Sequence, residues 1–386
     1  MISNKKIEEV LTRAVDKILP DKEGLKKLMR RRKIRLYLGI DPTSNKLHLG
    51  HTINLRKLQE FADLGHEAIL VIGTGTVLTG DPSLREQARK KISKKEIQDN
   101  IKTWRKQAGK VLDFSKVKIK YNGNWLLKLK YEDINEIASN ISSIKLFQRE
   151  MFQRRIKRGD TVWANETFYP LLQGYDSVYL NVDLEIGGTD QLFNMLIGRE
   201  LQQKMRNREK FVLTSPMILG TDGKQMSKSS GNCIWIEDSA DEMYGKIMSI
   251  PDELIFSYFE LLTDVLLSEV KRLNPCAAKA KLAREIVTMY HSEKAAEKTE
   301  EEFEKVFKKK ELPSKIPEIK ISKQKIDILD LLVKTQLASS KSEAKRLILQ
   351  KGVKIDGKVQ NDWRKTIEIK KGLIVQISRR KFVKLV

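Results

Sequence analysis

The chain has 386 residues, 40% of them apolar, including twelve Phe, nine Tyr and five Trp; it is too long for one ordinary core and too apolar for wholesale disorder, so two or three domains are expected. No run approaches the roughly 18 apolar residues of a membrane span, the N-terminal stretch lacks an apolar signal core, and two cysteines make neither a disulfide framework nor a metal cluster, so a reducing cytoplasm fits best. Lys plus Arg outnumber Asp plus Glu by 74 to 51, a net charge of +23 that favours polyanionic partners, although a generally lysine-rich chain would carry the same excess.

In chain order, residues 1–33 read as helix ending in the basic run KKLMRRRKIR, followed by the short apolar strand RLYLGID, broken at Asp41-Pro42. LHLGHTINLRKLQEFADLG has apolar residues at helical spacing and stops at Gly65, a C-cap candidate, and HEAILVIGTGTVLTGDPS is a continuous apolar run of the kind a doubly covered parallel strand shows. Strand, helix and strand of these lengths make a βαβ unit, so the N-terminal half predicts a Rossmann-like parallel α/β domain. Residues 91–157 read as a mostly helical, amphipathic insertion. TFYPLLQGYDSVYL predicts a long helix, LEIGGTDQLFNMLIGRELQQKM a strand turning into a helix at Gly187-Gly188, and FVLTSPMIL another strand. From Asp238 to about residue 310 the reading is all helix; two prolines mark 311–323 as a linker, and 324–386 predict two helices joined at 338–340 and an Asp-Gly turn in VKIDGKV. The expected architecture is an α/β parallel-sheet domain over 1–232 with its 91–157 insertion, an all-α domain over 233–310, the linker, and a small α+β domain over 324–386. This last stretch holds 16 Lys plus Arg against 6 Asp plus Glu, nearly half the excess charge, as a nucleic-acid module would.

Only four histidines occur, and two of them, His48 and His51, flank Leu49-Gly50 where the first long strand gives way to a helix. A helix N-terminus at that point of a Rossmann-like sheet offers free N–H groups and a positive dipole end to phosphate. Imidazoles there can donate to phosphoryl oxygens, and Gly50 would let a flat base or ribose pack on the backbone. Taken alone, HxGH could equally be two capping histidines. GTDGKQMSKSSGN places Lys224 and Lys228 four apart in a polar loop, where flexible ammonium groups can swing over a triphosphate. As a bare K-x-x-x-K this would also suit a solvated loop face.

Together, HxGH and KMSKS are the paired signatures of class I aminoacyl-tRNA synthetases. YLGIDPTSNKLHLGH, GDPS, YPLLQGYD, GGTDQ and KQMSKSSGN, in this order, resemble the bacterial tyrosyl-tRNA synthetases of the MSKS-type subgroup, and ASSKSEAKRLILQKGVKIDGK resembles an S4 RNA-binding domain. The resemblance spans nearly the whole chain. It implies that Tyr37 and Asp176 grip a substrate phenol, that Asp81, Tyr169 and Gln173 meet its ammonium, and that Gln191 touches the tyrosine carboxylate or α-phosphate. It further implies that Gly39, Asp41, Gly50, His51, Gly188, Asp190 and Met226 surround the ATP nucleoside. Thr43 and His48 would bind the γ-phosphate, Lys224 and Lys228 the pyrophosphate, and Arg85 and Arg89 are further basic loop positions. Mg²⁺ is implied by ATP chemistry, with no dedicated carboxylate cage. Tyr169, Gln173 and Asp176 fall on one helix face, where Gln and Asp are poor core residues unless paired. Glu185 stands where many members carry Gln, and the role of Asn54 is left open. Lys341, Lys345 and Arg346 would share the RNA-facing side of an S4 helix. The implied partners are L-tyrosine, ATP, a tyrosine tRNA and a second copy of the chain meeting through the insertion. Three rivals remain: a tryptophanyl-type synthetase, a synthetase-like RNA-binding protein without catalysis, and a small-molecule nucleotidyltransferase.

Overall fold

The apolar run at Glu67–Ile72 forms strand β3, buried almost throughout, and the first sheet is built around it. The computed structural model describes residues 3–83, 92–227, 230–307, 311–312, 316–321, 324–377 and 381–386. On one side β3 pairs in parallel with β2 (Arg35–Ile40), Tyr37 opposite Ile69, and on the other with β4 (Val117–Tyr121). β2 also pairs in parallel with β5 (Leu184–Gly188), which pairs with β6 (Phe211–Ser215); β1 (Lys17–Leu19) closes that edge antiparallel. The strand order β1-β6-β5-β2-β3-β4 means that the chain leaves β2 in one direction and returns beside it from the other. A doubly wound sheet binds ligands at that switch point, outside the carboxyl ends of its strands.

Helices α1 (Asn4–Val10), α2 (Lys22–Arg31), α3 (Leu49–Asp63) and α4 (Lys94–Ala108) precede β4. α5 (Ala164–Leu180) and α6 (Leu192–Arg206) flank β5. These two cross where neither carries a side chain: a Cβ on Gly174 would lie 3.0 Å from the Gly198 Cα. The chain divides into two compact units, Met1–Ala296 and Glu297–Val386. Helices α7 (Ala240–Met248), α8 (Ile255–Leu262) and α9 (Pro275–Tyr290) therefore belong to the first unit.

In the second unit β7 (Glu318–Ile319), β9 (Val353–Ile355), β10 (Lys358–Val359), β12 (Ile374–Ile377) and β13 (Lys381–Leu385) form a sheet of order β10-β9-β12-β13-β7, with β8 (Lys325–Asp327) and β11 (Thr366–Glu368) paired separately. Helices α10 (Ile328–Lys334) and α11 (Lys341–Leu349) carry Leu331, Leu332 and Ile348 into one core with Val353, Val375 and Leu385. Two local readings of the sequence change. The insertion is not helical throughout, because β4 extends the parallel sheet. Part of the proline-bearing linker is strand β7, held by pairing with β13. Among the described residues no helix is long and apolar enough to cross a membrane.

Candidate active site

At the carboxyl ends of β2 and β5 lies a cavity of about 340 Å³. It is walled by Gly39, Asp41, Thr43, His48, Gly50 and His51 from the first βα turn, by Asp81, and by Tyr169, Gln173 and Asp176 from α5. Gly188, Asp190 and Gln191 from the β5–α6 turn and Met226 complete the wall, so residues spread over nearly 190 positions meet at one place. Tyr37 is not on that wall: it lies wholly buried behind it, its phenol oxygen 3.0 Å from Ser177 Oγ and donating to the Gln173 carbonyl at 3.4 Å. Lys224 is exposed on its loop outside the cavity wall. Arg85, Arg89 and Lys228 lie outside the described residues.

His48 caps α3 and His51 is its third residue; the His48 backbone N–H donates to His51 Nδ1 at 3.1 Å, so a neutral His51 ring carries its proton on Nε2. The rings lie 3.8 Å apart, and the His48 ring also meets Trp235 edge-on at 5.8 Å. His51 thus does the capping and lines the cavity as well. Gly50 has a nearer reason than ligand packing alone. A Cβ there would stand 3.0 Å from the His48 ring atoms Cε1 and Nδ1, so glycine is what lets that ring fold back over the helix start. Asp41, at the end of β2, accepts from Thr76 Oγ1 at 2.7 Å and from the Tyr169 hydroxyl at 3.1 Å.

Asp176 is buried at the cavity wall, where Trp125 Nε1 donates to Oδ1 at 2.8 Å and Asn122 Nδ2 to Oδ2 at 3.0 Å. Burial outweighs both donors and pushes its acid up to about 8. Gln173 donates through Nε2 to Glu185 Oε1 at 3.0 Å, while its Oε1 is buried with no hydrogen-bond partner among the described residues. Glu185 pairs with Lys210, and both are buried.

Asp81 accepts from Gln191 Nε2 at 2.8 Å and from the Ser83 hydroxyl and N–H; Gln191 also donates to Asp190 at 2.9 Å, and Asn194 donates to Gln191 Oε1 at 3.0 Å. Burial raises the Asp190 acid, with Asp81 adding to the rise. Asn232 organises the loop that carries Lys224. Its Nδ2 donates to Asp222 Oδ1 at 2.7 Å and the Gln225 carbonyl at 3.0 Å, and its Oδ1 accepts from the Ser227 N–H and the Ser230 hydroxyl.

Asn122, Trp125, Thr76 and Asn232 carried no catalytic pattern in the sequence. The tell-tale for the first two is the sequence YNGNW after β4, since strand ends on this side of a parallel sheet face the cavity. In the second unit Lys341 pairs with Asp330 at 2.7 Å, the Lys345 ammonium lies 4.0 Å over the Trp363 ring, and Arg346 is exposed.

Residues 29–308 match the family described as tRNA synthetases class I (W and Y), and residues 307–377 match the tyrosine–tRNA ligase SYY-like C-terminal domain. A tyrosine–tRNA ligase of Thermotoga maritima is 44% identical over 98% of this chain and 96% of its own length; one of Aquifex aeolicus is 40% identical over 96% and 95%. The fold is shared by a C-terminally truncated mitochondrial tyrosyl-tRNA synthetase of Aspergillus nidulans (TM-score 0.67, 20% identity, 79% of this chain and 94% of that one). It is shared too by the Archaeoglobus fulgidus tyrosyl-tRNA synthetase complexed with L-tyrosine (TM-score 0.62, 21% identity, 77% and 100%). With both parts of the chain matched and near-complete relatives at this identity, the chain belongs to the class I (W and Y) tRNA synthetases and, within them, to the tyrosine–tRNA ligases.

Proposed function

We propose that this chain activates L-tyrosine with ATP to tyrosyl-adenylate, releasing pyrophosphate, and passes the tyrosyl group to the 3′ end of a tyrosine tRNA. The observation that carries the assignment is the meeting of Gln173, Asp176 and the HxGH turn at one cavity, with a buried amide oxygen on Gln173 that lacks a donor. A substrate ammonium supplies that donor, with Asp81 and Tyr169 nearby. Asp176 accepts the substrate phenol O–H, and Tyr37 backs this end through the Ser177 and Gln173 contacts. Phenylalanine would leave the buried acid without its partner, which is the basis of selection.

For ATP, Gly39, Asp41, Gly50, His51, Gly188 and Met226 bound the nucleoside space and Asp190 receives the ribose hydroxyls. Thr43 and His48 bind the γ-phosphate and Lys224 and Lys228 the pyrophosphate, with Arg85 and Arg89 in support. The tyrosine carboxylate, already ionised, attacks the α-phosphorus in line; the bond to the bridging oxygen breaks and pyrophosphate leaves with its electron pair. No general base is needed, so catalysis is positioning plus stabilisation of growing negative charge. Among the described residues no group of three or more His, Cys, Asp or Glu is placed to hold a metal ion; Mg²⁺ would arrive on the triphosphate.

Lys341, Lys345 and Arg346 give the second unit a basic helix face for tRNA backbone, in the manner of an S4 domain over 324–386. The helical stretch 233–310 would meet the anticodon. Exposed Leu127, Tyr131, Ile144, Trp163 and Tyr179 support a homodimer through the 91–157 insertion and the start and end of α5. A cytoplasmic location follows from the substrates. The test is charging: purified chain, ATP, labelled tyrosine and total bacterial tRNA should give an alkali-labile tyrosyl ester on one tRNA species. Adenylate formation without any such ester would sink the transfer step.

A further inference from the structure

Lys210, immediately before β6, and Glu185 on β5 are among the most deeply buried charges in the first unit, at 0% and 2% exposure. A buried ion pair is rarely the most stable filling for such a site, because desolvation offsets most of its attraction. What it touches therefore matters more than its strength. Lys210 Nζ donates to Glu185 Oε2 and, at 2.8 Å, to Ser177 Oγ; Ser177 in turn contacts Glu185 Oε2 at 3.3 Å and the Tyr37 phenol at 3.0 Å. The remaining Glu185 oxygen takes the Gln173 amide N–H. α6 makes room for the ammonium: a Cβ on Gly198 would lie 2.7 Å from Lys210 Nζ and 3.0 Å from Ser177 Oγ.

We propose that the Lys210–Glu185 pair is a positioning device for amino-acid recognition, holding the Gln173 amide so that its oxygen faces the cavity. Lys210 Nζ donates to one Glu185 oxygen in a buried ion pair, and a carboxylate so paired can only accept. Gln173 must then present its NH₂ to Glu185, because the flipped amide would set two acceptors 3.0 Å apart. Its Oε1, buried without a hydrogen-bond partner among the described residues on a side chain that lines the cavity, is left for the substrate ammonium. A glutamine at position 185 could accept or donate and would fix neither orientation. This gives the buried charge at position 185 a role, and it rests on the assignment of the cavity to tyrosine.

The test is a double-mutant cycle on tyrosine-dependent ATP–pyrophosphate exchange. The paired swap Glu185→Gln/Lys210→Met removes both charges at nearly constant volume, so neither is left buried alone. It should raise the tyrosine KM roughly tenfold, the lower range for a hydrogen bond to a charged group, and leave the ATP KM within about twofold. In a Gln173→Ala background the same swap should change the tyrosine KM by less than about twofold, because the pair acts through Gln173. Equal effects in both backgrounds, or no effect in either, overturn the proposal and make the pair a packing element. If the double variant fails to fold, Glu185→Gln alone, which keeps an acceptor for Lys210, goes through the same cycle with the same outcomes. Absence of tyrosine-dependent exchange in the unmodified chain would strike the assignment of the cavity instead.

Discussion

Replacing Asp176 by Asn should remove the fall in stability of the first unit toward alkaline pH while weakening tyrosine use. In the folded chain burial holds the acid up to about 8, against 3.8 for an ordinary aspartate. Below pH ~4 both states carry the proton and the group contributes no pH dependence. Between those values only the unfolded chain releases the proton, so unfolding is favoured as pH rises. This contribution is lost as pH climbs toward the folded value and levels off above it. With about 1.36 kcal/mol per pH unit, the wild type should lose roughly 3–4 kcal/mol between pH 5 and pH 8 that Asp176→Asn does not lose. The amide has a cost of its own. Trp125 and Asn122 both aim donors at this side chain, and Asn122 cannot flip freely because its Oδ1 takes the Gly75 N–H at 2.7 Å. That cost does not depend on pH and cancels when differences are compared. Urea unfolding of both proteins at pH 5, 6.5 and 8, followed by tryptophan fluorescence, reads the trend. A stability difference that stays constant across this range refutes the raised acid and the burial argument behind it.

The same ionisation should show in substrate use: tyrosine KM in exchange should fall up to about tenfold between pH 7 and 8.5 as Asp176 becomes the anion that accepts the phenol, and Asp176→Asn should flatten the profile. Gly50→Ala, whose Cβ would press on the His48 ring at 3.0 Å, should lower kcat for exchange roughly ten- to a hundredfold through misplacement, with little change in melting temperature. Asn232→Ala strips the 220–232 loop of its hub, the buried amide that ties Asp222, Gln225, Ser227 and Ser230 together, costing roughly 0.5–1.5 kcal/mol of local stability per bond lost; the ATP KM should rise and the tyrosine KM should not. The triple change Lys341→Ala/Lys345→Ala/Arg346→Ala should reduce the slope of log affinity for tRNA against log salt by about 2, measured by filter binding, and leave tyrosine-dependent exchange unchanged.

Much of this site was legible because its signals are local. His48-Leu49-Gly50-His51 announces itself at a strand-to-helix turn, and the 4- and 3-residue steps from Tyr169 to Gln173 to Asp176 put three polar groups on one helix face before any coordinates. What was not legible depends on sheet order. Nothing in YNGNW says that β4 pairs beside β3, yet that pairing delivers Asn122 and Trp125 to Asp176. The strand VKIKY does alternate apolar residues with lysine, but at five residues inside a helical stretch it is too short to stand out. The Lys210–Glu185 pair was hidden for a similar reason: a lysine in this chain looks solvated, and it is the Gly174–Gly198 crossing that leaves space to bury this one. Asn232 lay inside a motif whose lysines drew the chemical reading, while the loop's geometry rests on its asparagine.

The most direct test of the central claim is ATP–pyrophosphate exchange with each of the twenty amino acids, repeated with His48→Ala. The site described here predicts exchange driven by tyrosine alone, and its loss in the variant while the fold is kept. Exchange driven by another amino acid would contradict the reading of Asp176 and Tyr37, and no exchange with any, from folded protein that still binds tRNA, would contradict catalysis itself.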